Sequence, residues 1–137
     1  MSGLTSLSIT DQKLAAFDGT GMTNLTTLTL TNNKLTTFDG TGLIKLTSLG
    51  LANNLLPSFA GTGMGLLTNL DISYNQLTTF DGSGLTALTS LNVNSNTLLS
   101  SLSFTNGKLT TFSGQGMTGL LSLDLHGNLL TAFGVYL

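Results

Sequence analysis

The chain repeats itself every 21 residues, and no other feature narrows the fold as far. The segment LTSLSITDQKLAAF from Leu4 recurs as LTTLTLTNNKLTTF from Leu25, LTSLGLANNLLPSF from Leu46 and LTNLDISYNQLTTF from Leu67. It returns as LSSLSFTNGKLTTF from Leu99 and LLSLDLHGNLLTAF from Leu120, and a shorter copy, LTSLNVNSNTL, begins at Leu88. Tails of the form DGTGM, DGTGL, AGTGM, DGSGL or SGQGM close the full copies other than the one from Leu120. Self-similarity at such a period marks a supersecondary unit that cannot bury its apolar side alone, so the copies must stack into one elongated coil with a continuous core.

The pattern within a copy supports this. In Leu25-Thr-Thr-Leu28-Thr-Leu30 the apolar Leu28 and Leu30 alternate with polar positions, as in a strand with one buried face. Leu25 and Leu35 point inward from the turns on either side. Phe17, Phe38, Phe59, Phe80, Phe112 and Phe133 recur at one phase and are expected to stack as a single aromatic column in the core. Asn33, Asn54, Asn75, Asn96 and Asn128 fall where the chain leaves the strand and its backbone groups lose their ladder partners. A buried amide carries donors and an acceptor and can satisfy them rung to rung. Gln12 and Gly107 interrupt this ladder, and looser backbone is expected there.

The spacing L-x-x-L-x-L-x-x-N-x-L resembles that of the leucine-rich-repeat family over essentially the whole chain, and the 21-residue unit is similar to the short bacterial-type repeats. The resemblance implies an α/β-type repeat solenoid: a right-handed coil with a concave parallel sheet of about seven short strands and an irregular or 3-10 convex side. It implies one domain over 1–137, with rungs starting near 4, 25, 46, 67, 88, 99 and 120 and no capping domain. The rung at Leu88 is truncated to 11 residues, without Phe or a Gly-x-Gly tail. Eleven residues do not easily close a turn of the same cross-section. The segment 88–108 is therefore expected to bulge from the coil or narrow it, with an extra strand over Leu98–Phe104 as the alternative.

Composition excludes several classes of function. Only 7% of residues are charged, and Cys, Glu, Arg and Trp are absent. Lack of cysteine removes disulfides, thiol nucleophiles and cysteine-ligated metals. A net charge of −2 with four Lys does not suit a nucleic-acid partner, and no apolar run approaches the ~18 residues of a membrane span. Met1-Ser2-Gly3 carries no charged leader region, so a secretory signal is expected to be absent or already removed.

Candidate chemistry is sparse. The paired glycines of the tails permit tight turns, and Asp18, Asp39 and Asp81 are expected to cap a short helical turn after them. Ala60 and Ser113 occupy the same phase, which breaks any ladder of metal-binding carboxylates, and no Lys follows the glycines as in a phosphate-binding loop. Asp124 and His126 are expected on the concave face beside Ser101 and Ser122, without an oxyanion hole or a third metal ligand. The sequence thus reads as non-enzymatic, with no cofactor and no metal.

The concave face offers Asp71, Tyr74, Asn92, Asp124 and His126 as contact residues, yet it is poor in the Trp, Tyr and Arg that anchor interfaces. The leading expectation is a structural or interaction module that associates head to tail as a filament or oligomer. Met1 occupies the phase of Met22, Met64 and Met117, and Leu137 the position before it, so a second copy would continue the coil in register. The interface would include Met1, Leu4, Val135, Tyr136 and Leu137. The alternatives are recognition of a protein or glycan on the concave face, and ice binding through the column Thr5, Thr26, Thr47, Thr68 and Thr89. Expected partners are a second copy of the chain or another protein.

Overall fold

The computed structural model describes residues 3–134. Ten three-residue strands follow in order: β1 (Ser6–Ser8), β2 (Thr27–Thr29), β3 (Ser48–Gly50), β4 (Ser58–Ala60), β5 (Asn69–Asp71), β6 (Thr79–Asp81), β7 (Ser90–Asn92), β8 (Ser101–Ser103), β9 (Thr111–Ser113) and β10 (Ser122–Asp124). One side of the coil is a six-stranded parallel sheet in the order β1-β2-β3-β5-β7-β9. The other side carries two separate two-stranded parallel sheets, β4 with β6 and β8 with β10. The solenoid of stacked parallel strands implied by the motif is therefore present. Its second side is not helical: no helix occurs among the described residues, and strands form there instead. The expected helical turns after Asp18 and Asp39 are paired tight turns, in which Met22 N–H donates to Gly19 O and Leu25 N–H to Met22 O.

Each 21-residue unit divides into two half-turns. The first is an 11-residue Leu half, such as Leu67–Leu77, and the second a 10-residue Phe half, such as Thr78–Ala87. Each half holds an inward apolar residue on a strand or extended stretch and then turns through a residue with positive φ. In the Leu halves this is Asp11, Asn32, Asn53, Tyr74 or Ser95, and in the Phe halves Gly21, Gly42, Gly63 or Gly84. The halves are thus geometric equivalents on opposite sides of one core.

That equivalence corrects the expectation for the short rung. No bulge forms and the coil does not narrow. Two Leu halves follow one another, Leu88–Leu98 and Leu99–Leu109, and the second takes the place of a Phe half. From there the motif runs half a turn out of phase. The Phe-half strand β9 continues the six-stranded sheet, with Leu91 opposite Phe112 at the usual 21-residue offset. The Leu-half strands β8 and β10 lie on the other side, with Leu102 opposite Leu123. Gly116 takes up the positive-φ column after Ser95, while Asn106 and Gly127 follow Gly84.

The slip also divides the aromatic column. Phe17, Phe38, Phe59 and Phe80 stack at centroid separations of 6.3, 6.4 and 5.6 Å on one side. Phe112 and Phe133 stack at 6.4 Å on the opposite side, and Phe104 enters the core between the two groups. The expected single column is therefore two. Phe59, Phe80 and Phe112 are buried, Phe17 and Phe38 are half-buried, and Phe133 is 62% exposed because no described rung covers it.

The Asn positions form the expected ladder. Each amide Nδ2 donates to the carbonyl three residues back in its own rung and to a carbonyl of the rung before, while Oδ1 accepts an N–H from that earlier rung. For Asn54 the partners are Leu51 O at 3.0 Å, Leu30 O at 3.0 Å and Leu35 N at 3.0 Å. Asn33, Asn75 and Asn96 repeat the pattern. Asn128 does the same with Leu125 O, Phe104 O and Leu109 N, on the far side of the slip. At Gly107 an Asn has no room, since a Cβ would run into the Phe104 ring. At the first rung Gln12 bonds locally to Thr10 O. A second ladder runs through Thr26, Thr47, Thr68, Thr89 and Thr110, whose hydroxyls each donate to the carbonyl of the Thr one rung earlier. Thr110 extends this column beyond the slip.

Around these ladders the Leu side chains close the core: Leu28, Leu30, Leu35, Leu46, Leu51, Leu56 and Leu67 are fully buried. Loss of the Asn54 amide would orphan the Leu35 N–H in that interior and leave the Leu30 and Leu51 carbonyls with one Asn donor each, Asn33 and Asn75. Asn54→Ala is expected to destabilise the fold by about 1–3 kcal/mol, read as a lower urea midpoint with an unchanged slope. An unchanged midpoint would refute the ladder's structural role.

Candidate functional site

The regular rungs place three surfaces before solvent: the six-stranded sheet face, the turn edges, and the seam where the phase slips. The seam follows from residue counting. In a Leu half the inward residue is fourth, Leu102 counted from Leu99; in a Phe half it is third, Phe80 counted from Thr78. Inward residues of β6 and β8 therefore stand 22 apart rather than 21, and the two strands, though adjacent, belong to different sheets. No backbone–backbone hydrogen bond joins them among the described residues, whereas on the six-stranded side Val93 N–H donates to Ser113 O and Ser95 N–H to Gln115 O. The coil is stitched on one side and parted on the other.

A cleft of about 580 Å³ opens at the parting. Its floor is formed by Phe80, Leu85 and Phe104, and its rim by Asp81, Ser83, Thr86, Ser103, Thr105 and Asn106. The Phe104 ring fills the space that a side chain at Gly82 or Gly107 would need. Nothing in the sequence pattern marks this cleft except the missing Phe half, because it arises from a mismatch between two segments that are each regular.

The six-stranded face carries a shallower groove of about 330 Å³ lined by Thr29, Ser48, Gly50, Asn69, Asp71, Ser90 and Asn92. Asp71 Oδ1 accepts from Ser73 N–H at 3.0 Å and from Ser73 Oγ at 2.7 Å. Tyr74, three residues on, is 58% exposed and has φ of 53°. Of the residues expected to share the concave face, Asp71, Asn92 and Tyr74 lie on or at the end of this sheet's strands. Asp124 and His126 do not join them: β10 lies on the opposite side, with Ser101 and Ser122. The cause is again the half-turn slip. His126 Nδ1 and Asp124 Oδ1 are 2.9 Å apart on a largely exposed surface. Among the described residues, no three His, Cys, Asp or Glu side chains gather in a way that could hold a metal ion.

The acidic turns are built alike. The hydroxyl and N–H of Thr20 hold the Asp18 carboxyl below the ordinary range, and Thr41 does the same for Asp39. The Ser83 N–H and hydroxyl lower Asp81, and the backbone and side chain of His126 lower Asp124. Such carboxylates favour the folded chain when ionised. Their contribution is complete above the unfolded value of about 4 and disappears as pH falls through the depressed folded value.

Of the end residues expected to form an interface, Leu4 is half-buried at the first rung, while Met1, Val135, Tyr136 and Leu137 lie outside the described residues. No helix among those described is long and apolar enough to cross a membrane.

Replacing Asp18, Asp39 and Asp81 together by Asn should flatten the fall in melting temperature between pH 5 and pH 3 relative to the parent. Equal falls in both proteins, followed by circular dichroism, would show that these turns contribute nothing to acid sensitivity.

Residues 66–106, which include the start of the slip, match the family model for leucine rich repeats in two copies. The fold is also that of a solved structure, the functional domain of InlJ from Listeria monocytogenes, described as including a cysteine ladder. The likeness has a TM-score of 0.55 at 22% sequence identity and covers 96% of this chain and 36% of that one. The present chain has no cysteine; asparagine and threonine form its ladders. No curated protein matches it in sequence. Leucine-rich-repeat coils are typically interaction modules that bind other proteins.

Proposed function

We propose that the chain is a non-enzymatic interaction module that associates head to tail with further copies of itself. The observation that carries this reading is the state of the two end rungs. At one end Leu4, Leu7, Ile9, Leu14 and Phe17 are only partly covered. At the other, Leu123, Leu125 and Leu130 are half-buried, while Phe133 is 62% exposed. In an interior rung these inward positions are buried. Among the described residues β1 pairs with β2 alone and β10 with β8 alone, so each outermost described rung also presents a strand edge without a described partner. Open parallel edges over a bared core are the surface that another rung covers, and joining a top to a bottom is a heterologous contact that propagates.

A second copy matches this surface better than an unrelated partner would. The first rung, as a Leu half, has the inward spacing of the Leu half that ends in β10, so β1 of one copy can continue from β10 of another at the 21-residue offset. Charge scarcely opposes it, since the chain carries only ten charged residues. In this register successive six-stranded faces point to opposite sides of the assembly.

Light scattering of the parent should show mass rising with concentration through the micromolar range. Phe133→Asp, which places a charge on the exposed last described rung, should hold the protein at monomer mass without loss of its circular-dichroism spectrum. A parent that stays monomeric at several hundred micromolar would overturn the proposal, as would a Phe133→Asp variant that assembles like the parent.

A further inference from the structure

Three residues of the six-stranded side depart from the repeat without any need of the fold, and they stand together. Gly50 sits mid-column where its neighbours are Thr29 and Asp71. Its φ is not positive, and an added Cβ would meet only ordinary contacts, Thr29 Cγ2 and Thr31 Oγ1 at 3.5 Å. Alanine would therefore fit, and glycine inside a strand weakens it. Where neither conformation nor packing requires it, a strand glycine marks close approach by another group.

Asp71 is the second departure. Its structural task is to accept the N–H two residues on, from Ser73. One rung later Asn92 does the same for Asn94 N–H at 3.1 Å, so an uncharged amide suffices. Asp71 is nonetheless the only charged residue in the six strands of the sheet. Tyr74 is the third. Its column takes positive φ, and Asn32 and Asn53 occupy it with a side-chain ladder, Asn53 Nδ2 donating to Asn32 Oδ1 at 2.9 Å. Asn adopts this conformation readily, whereas a bulky aromatic there is strained. Places where a chain breaks its own local rule at a cost in stability are where function is to be sought.

Two of the three positions line one groove. Gly50 leaves a gap in the column, Asp71 forms the adjoining wall, and Tyr74 lies in the turn three residues beyond Asp71, outside the lining. We infer that this groove takes an arginine side chain presented by an extended segment of a partner protein. Asp71 Oδ1 is held by Ser73, which fixes the carboxylate and leaves Oδ2 to receive a cation. A planar guanidinium fits the slot that a missing Cβ leaves, and its five donors suit a lining of hydroxyl and amide oxygens from Thr29, Ser48, Asn69 and Asn92. The exposed Tyr74 ring, in the turn that follows Asp71, offers an extended segment a further aromatic contact beyond the groove. The site lies along the side of the coil, so it does not depend on assembly through the ends.

The test is an NMR titration of the full chain, labelled with nitrogen-15, against the peptide acetyl-Gly-Ser-Arg-Ser-Gly-amide and its lysine and citrulline counterparts. The arginine peptide should shift the amides of Gly50, Asp71 and Tyr74 saturably, with a dissociation constant of roughly millimolar order, as one charged contact allows. The lysine and citrulline peptides should bind about tenfold more weakly or worse. Gly50→Ala should keep the fold, raise the melting temperature by about 2–4 °C and abolish the shifts; Tyr74→Asn should also be at least as stable as the parent and bind more weakly. Equal binding of the citrulline or lysine peptide would overturn the assignment. So would unaltered affinity in folded Gly50→Ala, or the absence of saturable shifts at these residues.

Discussion

The fold depends on a constraint set by the peptide backbone. A coil that closes one turn in 21 residues, with a sharp reversal at the end of each half, must leave its strands before their hydrogen-bonding groups are exhausted, and those groups face a leucine interior that offers no partners. Five buried or half-buried amides resolve this, each tying two carbonyls and one N–H across a rung boundary. The carbonyls of Leu30, Leu51 and Ile72 each accept from two successive Asn residues, so adjacent rungs share acceptors as well as strands. The ladder therefore fixes the register of the stack, while leucine burial supplies its apolar driving force.

The Thr column has the same logic at lower cost of burial. Both the hydroxyl and the N–H of Thr26, Thr47, Thr68, Thr89 and Thr110 reach the carbonyl of the preceding Thr. The hydroxyl proton is directed along the coil rather than outward. Polar residues in this chain are thus mostly internal fittings, which is how a protein with 7% charged residues can still be rich in Ser, Thr and Asn.

Much of this was legible from spacing. Period, inward Leu positions and the Asn ladder each follow from a residue type at a fixed phase, and each phase maps to one place on a rung. The side of the coil is not legible beyond residue 95, because the L-x-x-L-x-L motif marks a half-turn and not a face. In space the face is set by counting half-turns. Leu91 opposes Phe112, and Leu102 opposes Leu123; nothing in the motif around Leu99 announces that it has crossed over. Taking the motif for a face carries Asp124 and His126 to the wrong side and joins two aromatic stacks into one. The seam cleft leaves no mark in the motif for a related reason: it is caused by a one-residue difference in where two kinds of half place their inward side chain.

A coil made of interchangeable halves has a parity. Adding a whole unit lengthens it and leaves every later surface on the side it had before. Adding a single half turns everything downstream through half a revolution, while the core, the Thr column and the 21-residue pairing on the continuous side pass through unbroken. Orientation is then written in the chain as an odd or even count, and eleven residues are enough to aim the remaining rungs in the opposite direction without a hinge, a linker or a second domain.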